Sequence, residues 1–460
     1  MKETSKKTKS LKKRNITALC ILVLMVVFLL IFPTQTGIFE NNTVNENDGY
    51  TIAEHNETEI DEQSYLDIGA DSDNAQNESN ENQNGYAKDD LSNDLADPND
   101  HLYDDEAYEN QDYLEDTASQ NPQTGFSTPN GLVRHDGPFE LPITGSTGWA
   151  ASSLAMRSQP TSNSTSIQTL QPGQAFVIFG EDGEWWNVRL SDGTEGWVLR
   201  RNCFINLPDV VPSIVYNITN AHSSVMRSNM TDIPGITGQA LYEAFGFNQR
   251  LGRDEFIVPA LYSTSLKIMQ AQRAALADGN TLIVYEVFRP RSTQQGAVSR
   301  LRTLMNENAA VYNAINSPPW NISWFIGTSL SNHQRGAAVD MSLGAIVRAE
   351  VELVSGIAYW RVIEHTPFEM PTAMHELSTR AVLLSRPITT TSPDAWRTVP
   401  FADTITQGAI LLLQYADEAG LTPMASEWWH FNDLTGRTIA MNANIVGEFY
   451  TPTIYSEAIS

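Results

Sequence analysis

Apolar and polar positions divide the chain into four stretches of different character. Residues 16–32 form one apolar run behind a basic flank. Residues 40–140 hold few large apolar side chains and are rich in Asn, Asp, Glu, Gln and Ser. From 141 to 208 the pattern is short strands between tight turns. The run 174–179 is apolar, Glu181-Asp182-Gly183 is a turn, and 186–190 alternates as a strand does. Ser191-Asp192-Gly193 is a second turn before the short strand 196–199, so the stretch predicts a small β-barrel.

From 209 to 460 helical and strand periods mix, which predicts an α+β domain. Leu266, Met269, Ala274 and Leu276 suit a helix ending near Gly279. Residues 281–288, TLIVYEVF, read as a buried strand, and 292–306 as a helix. A strand is expected over 339–343, a helix over 405–419 closed by Gly420, and a strand-like segment over 427–431.

The chain has 460 residues, enough for two or three domains, and a net charge of -26. Between Glu40 and Asp116 stand 25 acidic residues against one basic residue, Lys88, so this stretch carries almost all of the charge. The folded remainder is near neutral, and nothing favours nucleic acid as a partner. A segment so polar cannot bury enough surface to offset its ordering entropy, so 40–140 is expected to be a disordered acidic linker. The two cysteines, Cys20 and Cys203, provide no disulfide framework and no cysteine metal site.

Lys2, Lys6, Lys7, Lys9, Lys12, Lys13 and Arg14 precede the apolar run, whose 17 residues just reach the length of a membrane-spanning helix. Residues 1–39 therefore read as a cytoplasmic basic segment and single-pass anchor, with everything after Pro33 outside the cell. A cleaved signal peptide and secretion is the alternative.

The chemistry lies in two short stretches. Ser331-Asn332-His333-Gln334-Arg335-Gly336-Ala337-Ala338-Val339-Asp340 brings an imidazole and a carboxylate to either side of a glycine and small residues. Glu427-Trp428-Trp429-His430 brings a second carboxylate and a second imidazole. His333, Asp340 and His430 are candidate ligands for one zinc ion, with a fourth position open for water. Glu427, three residues before His430, is the candidate general base. The two reach one site only if the strand bends or bulges between them. Arg289, in Phe288-Arg289-Pro290 after the buried strand, is the candidate donor to a developing oxyanion. Trp428 and Trp429 are expected to wall the site.

These motifs resemble the zinc D-alanyl-D-alanine dipeptidase and carboxypeptidase family over most of residues 230–460. The resemblance implies that His333, Asp340 and His430 bind zinc, Glu427 is the base and Arg289 stabilises the transition state. It also implies that Ser331 lines the substrate pocket. The double Trp, the Arg-Pro and Asp340-Met341-Ser342-Leu343 are similar to the dipeptidase branch. That branch places an aspartate, which grips the substrate ammonium, where Met370-Pro371-Thr372-Ala373-Met374-His375-Glu376 has His375 and Glu376. The substrate implied is a D-Ala-D-Ala-containing peptide, either the free dipeptide or the end of a peptidoglycan stem. An endopeptidase on the stem, and a wall-binding protein without catalysis, are the other readings.

Met156-Arg157-Ser158, Gly183-Glu184-Trp185-Trp186-Asn187-Val188 and Gly196-Trp197-Val198 resemble the bacterial SH3-like family. That resemblance implies an SH3-like domain over 141–208 with the cell wall as partner. Trp186 and Trp197 are expected in its core, and Trp185 on the ligand-facing side.

Overall fold

In a computed structural model the described residues are 132–389 and 391–458. The expected anchor and nearly all of the acidic linker lie outside them. Among the described residues no helix is long and apolar enough to cross a membrane.

The first half of the described chain builds one eight-stranded antiparallel sheet. Its first seven strands are β1 (Thr147–Ala150), β2 (Leu154–Arg157), β3 (Ser166–Leu170), β4 (Ala175–Asp182), β5 (Trp185–Arg189), β6 (Glu195–Leu199) and β7 (Cys203–Asn206), and an eighth joins from later in the chain. The predicted turns fall at Gly183 and Gly193, both at positive φ, where a glycine carries no Cβ penalty. Trp186 is wholly buried, as expected. Trp197 is not. It stands opposite Asn187 on the half-exposed outer face, and Gly196 and Val198 point inward instead. The strand's period of two assigns neighbouring residues to opposite faces, so Trp197 shares the face of Trp185.

The remaining chain forms a second sheet flanked by helices. After β8 (Val215–Tyr216) come two small hairpins, β9 (Arg227–Ser228) with β10 (Thr231–Asp232), and β11 (Phe245–Asn248) with β12 (Arg253–Phe256). Then follow β13 (Pro259–Leu261), α1 (Tyr262–Ala277), β14 (Asn280–Glu286), α2 (Arg291–Glu307) and α3 (Ala309–Ile315). The chain ends with β15 (Ala338–Val354), β16 (Ile357–Pro367), α4 (Gln407–Glu418), β17 (Thr422–Met424), β18 (Glu427–Asn432) and α5 (Leu434–Asn442). The sheet order is β17-β18-β15-β14-β8, with β16 paired to the outer half of β15. The expected strand over 339–343 is the start of a 17-residue strand. Its outer half alternates charged and apolar residues in the open, so no apolar run marks it.

Helix α1 buries Ile268, Met269, Ala271, Gln272 and Ala275, whereas Leu266 and Ala274 are only partly covered. The buried face is turned toward polar groups that find partners. Gln272 donates to Ser213 and Thr281 at 3.0 and 3.1 Å and accepts from the Leu282 amide at 2.8 Å. Lys267 pairs with the buried Asp433 at 2.6 Å. A buried polar group with all its partners costs little, so this face competes with a purely apolar one.

The expected boundary at 208/209 is not a break between separate bodies. β13 adds to the barrel sheet by pairing with β7, Pro259 opposite Asn206 and Leu261 opposite Phe204. Trp186 packs edge-on against Tyr262 at the start of α1, with ring centroids 5.3 Å apart. The C-terminal tail returns to the barrel, where Glu457 pairs with Arg189 at 2.7 Å. Asp209 ties the three pieces together. Its fully buried carboxylate accepts from the Thr147 amide at 2.9 Å, Ser456 Oγ at 2.6 Å and Asn248 Nδ2 at 2.6 Å. Asp209→Ala leaves these donors without a partner and is expected to lower unfolding free energy by about 3 kcal/mol, read from urea denaturation of the full chain. A loss below ~1 kcal/mol shows that water replaces the carboxylate and that the junction is not held there.

Candidate metal centre

The sheet itself assembles most of the centre. Across three adjacent strands Glu286, Asp340 and His430 stand in one row, Asp340 opposite Glu286 on β14 and opposite His430 on β18. Directly opposed residues on an antiparallel pair share a face, so these side chains converge. His333 arrives from the 3-10 turn Asn332–Arg335 just before β15. That turn ends at Gly336 with φ +63, where a Cβ would lie 2.6 Å from Phe204 of the barrel. The glycine of the motif is required both by its left-handed backbone and by the barrel pressed against it. The Gly336 carbonyl accepts from the Leu261 amide at 3.0 Å, so β13 braces the loop that carries His333.

The three expected ligands meet. His333 Nε2, Asp340 Oδ1 and His430 Nδ1 lie 3.0 to 3.2 Å from one another. All three residues are buried. The edges of a tetrahedron around zinc are about 3.3 Å for ligand bonds near 2.0 Å, so the triad matches the span of such an ion. The other nitrogen of each ring is taken. His333 Nδ1 donates to the Val287 carbonyl at 2.8 Å, and His430 Nε2 to Asn432 Oδ1 at 3.0 Å. Those bonds fix the tautomers that leave His333 Nε2 and His430 Nδ1 as lone pairs aimed at one point. Asn332 Nδ2 donates to the same Asn432 oxygen at 2.8 Å. The donor set, two neutral imidazoles and a carboxylate, fits zinc.

Electrostatics favour this arrangement at Asp340 and His333, whereas burial at His430 is outweighed by Asp340 and Glu427, which raise its imidazole. Burial would raise the Asp340 carboxyl, but His333, His375 and His430 outweigh it and hold the group well below the usual range. Burial dominates at His333 and lowers it, which favours the neutral ring a metal needs. Glu427 is buried beside the triad, its Oε2 3.7 Å from His430 Nδ1. Burial pushes its carboxyl up to about 8, against the pull of His430. β18 bulges as the Glu-x-x-His spacing requires. Pro423 faces Phe431 on β17, yet Met424 faces Glu427, so three residues on β18 stand unopposed. Trp429 lines the cavity, edge-on to His375 at 6.0 Å. Trp428 does not line it and instead donates to Thr372 on the other face.

Arg289 lines the cavity too, held by its neighbours. It donates to Glu286, to Gln294 Oε1 at 2.7 Å and to Asp340 Oδ2 at 3.1 Å. Four of its five N–H donors are used, and one on Nη1 remains open. Glu286 is itself fixed by Asn220 and Tyr242. Glu286, Asp340 and His375 form a second cluster with metal-ligand character, but the Arg289 guanidinium already sits between its two carboxylates.

Ser331 lines the cavity as the N-cap of the 3-10 turn that carries His333. His375 lines it as well, with φ +58, and its Nε2 meets Asp340 Oδ2 at 3.1 Å. It thus braces Asp340 besides facing the cavity. Glu376 is placed elsewhere, which corrects its expected role in substrate binding. Its oxygens accept the Asn229 and Met230 amides and Ser378 Oγ, closing a turn whose two residues have positive φ. Three of its roughly four acceptor sites are used in this turn, and Glu376 does not line the cavity. His365 stands on β16 opposite Ile346 and does not line the cavity.

Sequence reasoning missed Asn432, Glu286, Gln294 and the arginines Arg335 and Arg437. Asn432 had a signal, since it follows His430 by two residues and so shares its strand face. The cavity of about 530 Å³ is lined on its far side by Ser323, Trp324, Phe325 and Ile326 from the segment before the His333 loop. In the barrel, a groove lined by Trp185, Leu199, Arg157 and Pro160 opens on the expected ligand-facing side.

No curated protein matches the chain. Residues 152–202 match the bacterial SH3 domain family, which supports the SH3-like reading of this region.

Proposed function

We propose that the chain is a zinc metallopeptidase that hydrolyses the D-Ala–D-Ala bond in cell-wall peptides. One observation carries the reading. Three donors from two distant segments converge within 3.2 Å while the outer nitrogen of each imidazole is bonded away. When bound, zinc supplies Lewis acidity that polarises a carbonyl and acidifies water. Glu427 takes the proton from the attacking water and delivers it to the leaving amine. Arg289 offers its remaining Nη1 donor to the carbonyl oxygen as charge builds there. Trp429 and the buried floor exclude bulk water, which strengthens each of these interactions. Both the free dipeptide and the end of a peptidoglycan stem contain the bond, which gives dipeptidase and carboxypeptidase forms of the same chemistry, and stem endopeptidase activity is a third.

The SH3 domain, with Trp185 in its outer groove, is read as the wall-binding element, and residues 1–39 as the membrane anchor that holds both domains outside the cell. A wall-binding protein without catalysis would keep that groove and need no buried ligand triad. The test uses the full chain. It is expected to retain one zinc per chain through dialysis, by elemental analysis, and to release D-alanine from D-Ala-D-Ala or from a stem pentapeptide. A chain that holds no stoichiometric zinc and releases no D-alanine is the wall-binding protein instead.

A further inference from the structure

Three arginines line the cavity, and the fold accounts for only Arg289. Arg335 ends the 3-10 turn that carries His333, and Arg437 lies in the first turns of α5, which packs on that turn. Neither guanidinium forms an ion pair among the described residues. Asp433, the carboxylate nearest to Arg437 in sequence, is fully buried and already committed to Lys267, Ser263 and Thr264. Arg335 Nε is buried without a partner, and Nη1 reaches only Asn332 Oδ1 at 3.5 Å, a long contact. Two like charges left in one cavity with open donors repel each other until an anion comes between them.

We propose that Arg335 and Arg437 form the receptor for the terminal carboxylate of a peptide substrate, so that the cavity selects peptides with a free carboxylate end and an acylated amino side. This deepens the peptidase reading above and rests on it. Charge decides the first half. Of the cavity-lining carboxylates, Asp340 and Glu427 face the metal position, and Arg289 is neutralised by Glu286. Arg335 and Arg437 remain as uncompensated positive charge, which a carboxylate matches by paired, charge-assisted hydrogen bonds.

The second half rests on what the cavity lacks and on His375. No carboxylate lines the cavity, among the described residues, beyond the two beside the metal position, so a substrate ammonium would add to the positive charge. An amide would not. His375 Nε2 donates to Asp340 Oδ2, which can only accept, so Nδ1 is the ring atom left facing the substrate space. That Nδ1 is buried without a partner, and an amide N–H on the amino side of the scissile bond would supply one.

The experiment uses the zinc-loaded full chain bearing Glu427→Gln, so that ligand is not consumed, and calorimetric titration with three probes. These are N-acetyl-D-Ala-D-Ala, its C-terminal amide and the unblocked dipeptide. The acetylated acid is expected to bind roughly 30-fold more tightly than the amide, the scale of a charge-assisted pair. Adding Arg437→Ala should remove most of that difference while amide binding changes less than about twofold. Adding Arg437→Lys should restore part of it. Arg335→Ala, checked for zinc content, should act in the same direction. Equal binding of acid and amide, no binding of either, or a loss that falls on both alike overturns the receptor. The unblocked dipeptide binding as tightly as the acetylated acid overturns the amino-side half. Turnover by the parent chain separates the two levels. Equal hydrolysis of acid and amide removes the receptor and leaves the peptidase, whereas preferential binding of the acid with no hydrolysis removes the peptidase and leaves the receptor.

Discussion

Glu427→Gln is expected to keep one zinc per chain and to lose D-alanine release by roughly 10³-fold, the scale of a lost general base. The substitution preserves shape in a site where shape is tightly held. Glu427 is 6% exposed and sits at the bulge in β18 that turns it toward His430. The amide matches the carboxyl in size and polarity, so it should cost little stability, and the urea midpoint should stay close to the parent's. What the amide cannot do is accept a proton. Zinc content, unfolding midpoint and turnover together separate a chemical role from a structural one. Unchanged turnover in a zinc-loaded variant removes Glu427 from the mechanism and leaves the metal triad without a base.

The parts of the site that are periodic or clustered are readable in the sequence alone. His333 and Asp340 flank a glycine, and the strand row that joins Asp340 to His430 follows from two short apolar segments becoming neighbours. The need for a bulge was legible as well, because Glu-x-x-His cannot share a face on a regular strand. What was not legible depends on long-range pairing. Glu286 reads as one polar residue inside TLIVYEVF until β14 is placed beside β15, and its partners Asn220 and Tyr242 come from the segment ahead of α1. Glu376 looked like a substrate ligand because it stands beside His375, yet the left-handed backbone at His375 sends the two side chains to different tasks.

The fusion of the barrel with the second sheet was hidden for the same reason. A boundary at 208/209 is reasonable from pattern, since the short-strand rhythm stops there. β13 nevertheless crosses back to complete the barrel sheet, and Phe204 of the barrel lies under Gly336 of the His333 loop. A fragment beginning at 209 would therefore lose β7, the neighbour of β13, and the support of its own metal loop. The barrel is better regarded as part of the scaffold that sets the metal centre than as a module joined to it by a tether.

His333→Ala should lower zinc affinity by roughly 10³-fold, if one ligand of three supplies a third of a binding free energy on the order of 12 kcal/mol. A competition titration against a chromophoric chelator reads this directly. The parent chain should melt at a higher temperature with zinc than after chelation, because a ligand bound only to the folded state stabilises it by mass action. The variant should show no such shift at the same zinc concentration. Among the described residues, His375 is the one nearby imidazole that could substitute, and geometry argues against it. Its Nε2 faces Oδ2 of Asp340, the oxygen that also receives Arg289, whereas His333 and His430 converge on Oδ1. A cation drawn toward His375 would have to displace a guanidinium held by Glu286 and Gln294. Parent-like zinc affinity in His333→Ala would mean that this displacement occurs, and the ligand set would then have to be rebuilt around Oδ2.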